Sequence, residues 1–336
     1  MAQRLLQIQR SVQGVDCGEC RIFRTMQKNT VISPNFADKV KCCFQLVRVH
    51  HWIKNGLVFI SLLFSAGFFD SSFIAGTVLG FFCFSLASSI VYILNDIRDI
   101  EKDRLHDTKC RRPLASGKIP VRHAIIALII LFIILVTLLI IVKISENCMF
   151  NFKSVGLLLL YMLLNIGYSW GLKNIPIVDV TILASGFVIR VLFGAVIIGV
   201  EISIWLYLVV TTGAYYLGLG KRRNEIIVNE NADRNVMLFY SHNFLDKNMY
   251  VCQALCVVFY ALWSIDSVTV EKFHTSAFVY TIPLILIIFL KYSLNIETSA
   301  EGDPTSVLLS DKILLALCMV YIISAFCIVY LNRTIL

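Results

Sequence analysis

Seven stretches of this chain, residues 71–95, 123–142, 154–172, 202–220, 248–265, 273–290 and 313–332, contain no Asp, Glu, Lys or Arg. Each approaches the roughly 20 residues that a helix needs to cross the hydrocarbon core of a bilayer. Two further stretches extend the series. Residues 55–69 are shorter, but Trp52 and Ile53 can lengthen that helix, with Trp52 suited to the interface. Residues 180–200 are interrupted once, by Arg190. A strand reading fails because the runs are too long and do not alternate. Of the six prolines, only Pro283 falls inside a run. The expected fold is all-α: a polytopic membrane protein with nine transmembrane helices around a central cavity. Composition supports it, since 58% of the 336 residues are hydrophobic and only 15% charged. Soluble domains carry about 25% charged residues, and none could bury this much apolar surface.

The net charge of +8 is then read by position rather than as a nucleic-acid signal. With the N-terminus in the cytoplasm, the inside segments hold 25 of the 30 Lys and Arg. Outside segments hold four (Lys143, Lys153, Lys272 and Arg333), and Arg190 lies within the membrane. Positive charge concentrates on the cytoplasmic side, so the expectation is a multi-pass protein of the cell membrane, N-terminus in and C-terminus out. Residues 1–43 read as a polar basic cytoplasmic segment and 44–336 as the nine-helix domain. The 11 cysteines form no even disulfide framework. Cys17-Gly-Glu-Cys20 makes a zinc site conceivable, but Cys42-Cys43 is not a second C-x-x-C and no spaced His pair follows, so these read as ordinary reduced thiols.

Chemistry collects on the cytoplasmic side. The loop after the second helix reads Asn95-Asp96-Ile97-Arg98-Asp99-Ile100-Glu101-Lys102-Asp103. At about 100° per residue, Asp99 lies about 60° and Asp103 about 20° from Asp96. Asn95, Asp96, Asp99 and Asp103 thus share one face. Three carboxylates on one face repel each other without a cation, and hard oxygen ligands suit Mg²⁺, which also takes phosphate oxygens. The bland alternative is a solvated, charged helix end. Lys109, Arg111, Arg112 and Lys118 follow at once, around Arg112-Pro-Leu-Ala-Ser-Gly117. Acids that hold a metal beside cations that neutralise the remaining oxygens are what an Mg²⁺-diphosphate requires. The same cations would also satisfy plain positive-inside topology.

Asn95 to Asp103 followed by Arg112-Pro-Leu-Ala-Ser-Gly117 resembles the first signature of the UbiA superfamily of intramembrane prenyltransferases. Further segments narrow the resemblance: His51-Trp-Ile-Lys54-Asn55, Tyr168-Ser-Trp-Gly-Leu-Lys173, Asp179 with Arg190, Gly220-Lys-Arg-Arg-Asn-Glu225 and Gly302-Asp-Pro-Thr305. Together they look like the decaprenyl-phosphate phosphoribosyltransferase branch. That resemblance implies Mg²⁺-dependent transfer of ribose 5-phosphate from phosphoribosyl pyrophosphate to a polyprenyl phosphate. Asp96, Asp99 and Asp103 would be the metal-binding and catalytic residues. Asn95, Lys54, Lys109, Arg111, Arg112, Tyr168, Lys173, Arg190, Lys221 and Arg222 would line the substrates.

Typical prenyltransferases carry a second D-x-x-x-D signature after the sixth helix. Here that loop has Glu225, Glu230 and Asp233 but no such motif, and it opens with Lys221-Arg222-Arg223. Extra cations suit a donor with an additional 5-phosphate and an acceptor that is itself a phosphate. The alternative is prenyl transfer to an aromatic or other small acceptor.

Arg190 sits about ten residues from either end of its run, where a charge costs roughly 2.5–3.5 kcal/mol on insertion scales and so needs a partner. Asp179 is eleven residues earlier, about 20° round the helix. Arg190 is expected either in the polar cavity wall, as a phosphate ligand or support for the acids, or in a structural interhelical bond. Transport is disfavoured because the acids cluster at a mouth rather than at the midplane. His50 and His51 are expected at the interface, and no catalytic His is assigned.

Overall fold

The computed structural model describes residues 36–65, 67–105, 109–144, 151–228, 235–298 and 302–330. Among these there are helices and turns but no strand. Thirteen α-helices follow in order. They are α1 (Phe36–Val47), α2 (Val58–Leu63), α3 (Ser71–Arg98), α4 (Ile100–Leu105), α5 (Val121–Ile144), α6 (Phe152–Trp170) and α7 (Val178–Ile197). The rest are α8 (Ile204–Val228), α9 (His242–Ile265), α10 (Ser267–Phe273), α11 (Ile282–Thr298), α12 (Pro304–Ser310) and α13 (Lys312–Tyr330).

Among the described residues, seven helical segments are long and apolar enough to cross a membrane: Ser71–Arg98, Val121–Ile141, Phe152–Trp170, Val178–Ile197, His242–Ile265, Ala277–Thr298 and Lys312–Tyr330. The chain is a multi-pass membrane protein. This count does not confirm the expected nine, and the two expected spans outside it have physical reasons. The first expected span is a 3-10 helix, Val49–Leu57, followed by the six-residue α2. The sixth, α8, has length enough at 25 residues. Its apolar content is diluted by Thr211, Thr212, three glycines and three tyrosines, and by the charged run from Lys221 onward. Val121–Ile141 shows the opposite extreme, with Ile125, Ile129, Phe132, Ile133 and Ile140 all about half exposed. A helix that is apolar all round and packed on little protein faces lipid.

Two compact units divide the chain. The first takes residues up to His50 together with Ser89–Ile133. Its core is Leu46, Ile93, Leu114 and Ala124, with Ile97, Ile100 and Ile119 packed around them.

The second unit takes His51–Ser88 and everything from Ile134 onward. In it α8 packs on α9 and α7, and α2 crosses α7 closely. That crossing depends on Gly194, where a Cβ would lie 2.2 Å from the Val58 carbonyl oxygen. One cluster joins Tyr216, Leu219, Leu245, Met249, Tyr292, Ile296 and Leu314. Another is aromatic, built from Phe64, Tyr260, Trp263, Phe273, Phe278 and Tyr330.

Candidate active site

The acidic motif lies in the first unit. Backbone bonds from Asp99 N to Asn95 O (2.9 Å) and from Asp103 N to Asp99 O (2.8 Å) carry the helical winding across the junction of α3 and α4. The one-face arrangement expected from spacing is therefore real backbone geometry. Asp96 and Asp103 are buried, at 3% and 5% exposure, and Asp99 is half-buried. Arg112 joins the first two: its Nη1 lies 3.1 Å from Asp96 Oδ1 and 2.6 Å from Asp103 Oδ2. The turn after Arg112 holds it there, with Leu114 and Ala115 buried, Ser116 N bonding the Arg112 carbonyl at 2.8 Å, and Gly117 at φ 75°. A positive φ at that position is open to glycine without strain. Lys109 is half-buried and Arg111 exposed on the same segment.

Sequence reasoning missed Arg48. Its Nη2 donates to Asp96 Oδ1, and its guanidinium stands 4.9 Å from the centre of the Tyr92 ring. Arg48 adopts φ 55° between α1 and the 3-10 helix, a conformation uncommon outside glycine. Its place three residues before His51-Trp-Ile-Lys54 was the only available signal.

Whether this arrangement fits Mg²⁺ follows from its donors. Two buried carboxylates converge on a single guanidinium nitrogen, so their oxygens already share one cation, and oxygen donors are the set that Mg²⁺ prefers. Among the described residues, no three Asp, Glu, His or Cys side chains close on a point tightly enough to hold an ion alone. Phosphate oxygens and water would have to complete the shell. The chemistry of the donor set fits.

The second unit holds a basic group and a buried network. Lys54 Nζ bonds Asp303 Oδ1 at 2.7 Å, and Lys221 Nζ lies 3.5 Å from the same oxygen. Burial alone would push the Asp303 carboxyl up, but the charges of Lys54 and Lys221 hold it well below the usual carboxylate range. Its backbone is placed by Gly302, where a Cβ would come within 2.7 Å of Asn224. The sequence motif Gly302-Asp-Pro-Thr305 was visible, but the role of Asp303 was not.

Next to Lys221, Arg222 turns inward. It is fully buried and bonds Asp179 Oδ2 through Nε at 2.6 Å, Tyr168 Oη through Nη2 at 2.8 Å and Glu225 through Nη1 at 2.5 Å. Tyr240 Oη donates to Asp179 Oδ1 at 2.5 Å and accepts from the Ile177 N–H at 2.6 Å. Burial, together with the bond to Asp179, pushes the Tyr240 hydroxyl up to about 12. Ile177 itself has φ 69°, an outlying conformation for a β-branched residue. Lys173 is half-buried in the 3-10 turn Leu172–Asn174 just before this network.

Arg190 belongs to neither group. It donates to Asn55 Oδ1 (2.8 Å), the Gly186 carbonyl (2.5 Å) and Tyr161 Oη (3.2 Å), with its guanidinium 5.0 Å from the Phe84 and Tyr161 ring centres. Asn55 in turn bonds Ser85 and Ser88. Of the two roles expected for Arg190, the structure supplies the partners of the interhelical one. Its helix mate Asp179 pairs with Arg222 instead. Glu230 and Asp233 of the same loop, and Cys17 and Cys20, lie outside the described residues.

Known proteins are similar to this chain in sequence and in fold. The sequence model of the UbiA prenyltransferase family matches residues 56–317. Decaprenyl-phosphate phosphoribosyltransferase of Corynebacterium glutamicum is 32% identical over 306 residues, which cover 88% of this chain and 87% of that protein. The protein of the same name from Mycolicibacterium smegmatis is 29% identical over 289 residues, covering 82% and 88%. Among solved structures, a UbiA homolog from Archaeoglobus fulgidus bound to GPP and Mg²⁺ superposes with a TM-score of 0.61 at 20% identity, covering 85% of this chain and 98% of that one. That last likeness bears on the fold alone.

Proposed function

This chain belongs to the UbiA prenyltransferase family, and we propose that within it the chain transfers 5-phosphoribose from phosphoribosyl pyrophosphate to a polyprenyl phosphate of the decaprenyl type. That it is a transferase follows from the family and from relatives named as phosphoribosyltransferases. The observation that carries the finer reading is the pair of lysines, Lys54 and Lys221, converging on one carboxylate, Asp303, where a D-x-x-x-D motif would otherwise bring acids. A second cation at this carboxylate suits a phosphate.

In this reading Asp96 and Asp103, with Asp99 on the same face, would hold Mg²⁺. When bound, Mg²⁺ supplies charge neutralisation to a departing diphosphate. Arg112 is the adjoining cation for diphosphate oxygens, with Arg111 and Lys109 on the same segment. Lys54 and Lys221 exchange Asp303 for the donor's 5-phosphate. Lys173 and Asn95 are further polar contacts, and Tyr168 acts through Arg222. The bond from C1 of the ribose to diphosphate breaks, and C1 bonds to an oxygen of the lipid phosphate. That acceptor is already an anion near neutral pH, since its second pKa is about 6, so no strong general base is needed. The residues contribute positioning and electrostatic stabilisation of an oxocarbenium-like ribosyl centre.

Residues 1–43 are then a polar cytoplasmic segment ahead of a membrane domain over 44–336, with the N-terminus inside, the C-terminus outside and the site on the cytoplasmic face. Cysteines at positions 108 and 148, labelled with an impermeant reagent in a background stripped of other thiols, should react from opposite faces. For the reaction, purified protein is given Mg²⁺, phosphoribosyl pyrophosphate and a polyprenyl phosphate. A parallel tube holds a prenyl diphosphate and an aromatic acid. Diphosphate release in the first tube alone is the expected result; release in the second alone reverses the assignment.

A further inference from the structure

A cavity lies in the second unit at the far end of α7, away from Asp179. Twenty residues of helix separate the two ends, a length of about 30 Å. The cavity measures about 140 Å³ and is lined by residues including Phe64, Glu201, Trp263, Val268, Lys272 and Phe273. One water needs only roughly 10–15 Å³ by this measure, so there is room for a group of several heavy atoms.

Its chemistry is unusual for a gap between helices. Lys272 is half-buried, its Nζ 5.5 Å from the centre of the Phe273 ring, and among the described residues it has no ion-pair or hydrogen-bond partner. Burial pushes its ammonium pKa down, which marks a charge short of compensation. Glu201 stands exposed on the same wall and is likewise unpaired, so the two opposite charges share the cavity without meeting. The floor is aromatic: Phe64, Trp263 and Phe273 are buried, with Phe64 and Trp263 edge to face at 5.3 Å. Around the mouth the surface is apolar, since Val268 is 63% exposed and Ile204, next to the lining residue Ser203, 75%.

We propose that this cavity binds the headgroup of a zwitterionic membrane phospholipid, its phosphate on Lys272 and its ammonium toward Glu201. A purely anionic headgroup would meet the Glu201 carboxylate, and a free ion would have no use for the apolar rim. A phosphoethanolamine headgroup carries both charges, and its acyl chains continue onto Val268 and Ile204. The site shares no residue with either charged cluster described above and does not depend on the transferase reading.

The test uses the full-length protein in detergent, with lipid retention read by native mass spectrometry. Four probes are compared: a short-chain phosphatidylethanolamine, a phosphatidylglycerol of the same chains, phosphoethanolamine alone and inorganic phosphate. Wild type should hold the phosphatidylethanolamine at least tenfold more tightly than the other three. Lys272→Gln should lose about tenfold or more of that affinity, while Lys272→Arg should keep most of it. Glu201→Gln should narrow the gap between the two lipids. Transferase turnover in detergent should be unchanged in all three variants. Equal retention by Lys272→Gln, or equal binding of the two lipids by wild type, overturns the proposal. Binding of the chainless probes as tightly as the lipid overturns its lipid half.

Discussion

Arg222 and Asp179 form an ion pair from which solvent is fully excluded: both side chains are 0% exposed, and Nε lies 2.6 Å from Oδ2. Adjacent Lys221 keeps 28% of its side-chain surface and points to Asp303. Locking Arg222 inside therefore fixes the rotation of the end of α8, and that rotation aims Lys221. Removing one partner of such a pair strands a buried charge, at a cost of about 3–5 kcal/mol. Arg222→Met should lower the unfolding temperature sharply. A double variant with Asp179→Leu should recover much of the loss, as a double-mutant cycle in detergent would show.

Lys221→Ala, by contrast, should leave the fold intact. A charge-assisted bond to a phosphate is worth roughly 1.5–3 kcal/mol, so the donor KM should rise, or kcat/KM fall, by about ten- to a hundredfold. The apparent affinity for polyprenyl phosphate should change less. Donor kinetics identical to wild type would remove Lys221 from the site.

Asp96→Asn and Asp103→Asn should each abolish turnover while the protein stays folded. Arg48→Met should have a split effect. It removes a cation that now occupies Asp96, so Mn²⁺ binding, followed by electron paramagnetic resonance, should tighten while turnover falls. Weaker Mn²⁺ binding would contradict the metal assignment to Asp96.

The Asp303 carboxyl gives a pH test with a definite sign. Its folded pKa lies below the ordinary value of about 4 because Lys54 and Lys221 favour the charged form. Its stabilising contribution is therefore complete above the unfolded pKa and is lost as pH falls through the folded one. Asp303→Asn should be less stable than wild type at pH 7, and the difference should shrink only below about pH 4. A difference that vanishes already between pH 7 and pH 5 would mean that the lysines do not hold Asp303.

Gly194→Ala tests the fold itself. With a Cβ 2.2 Å from the Val58 carbonyl oxygen, α2 must move away from α7. Overpacking of this kind costs about 1–3 kcal/mol. A midpoint equal to wild type would show that the crossing is loose.

What the sequence settled by itself was what depends on local spacing and on total apolar surface. The charge-free runs dictated helices in a membrane, because a strand or a soluble core has no use for some twenty consecutive uncharged residues. The 3- and 4-residue spacing put Asp96, Asp99 and Asp103 on one face, and the helical winding through Asp99 realises it. Pairings across distant sequence were decided only by tertiary packing. That Asp96 is held by Arg48, that Asp303 draws together Lys54 and Lys221, and that Asp179 takes Arg222 rather than its helix mate Arg190 has no local signature. Periodicity says which way a side chain points along its own helix. Which opposite charge waits there, and whether water can reach it, depends on how other helices pack, and in a low-dielectric interior that choice decides between a structural ion pair and a cation left open for substrate.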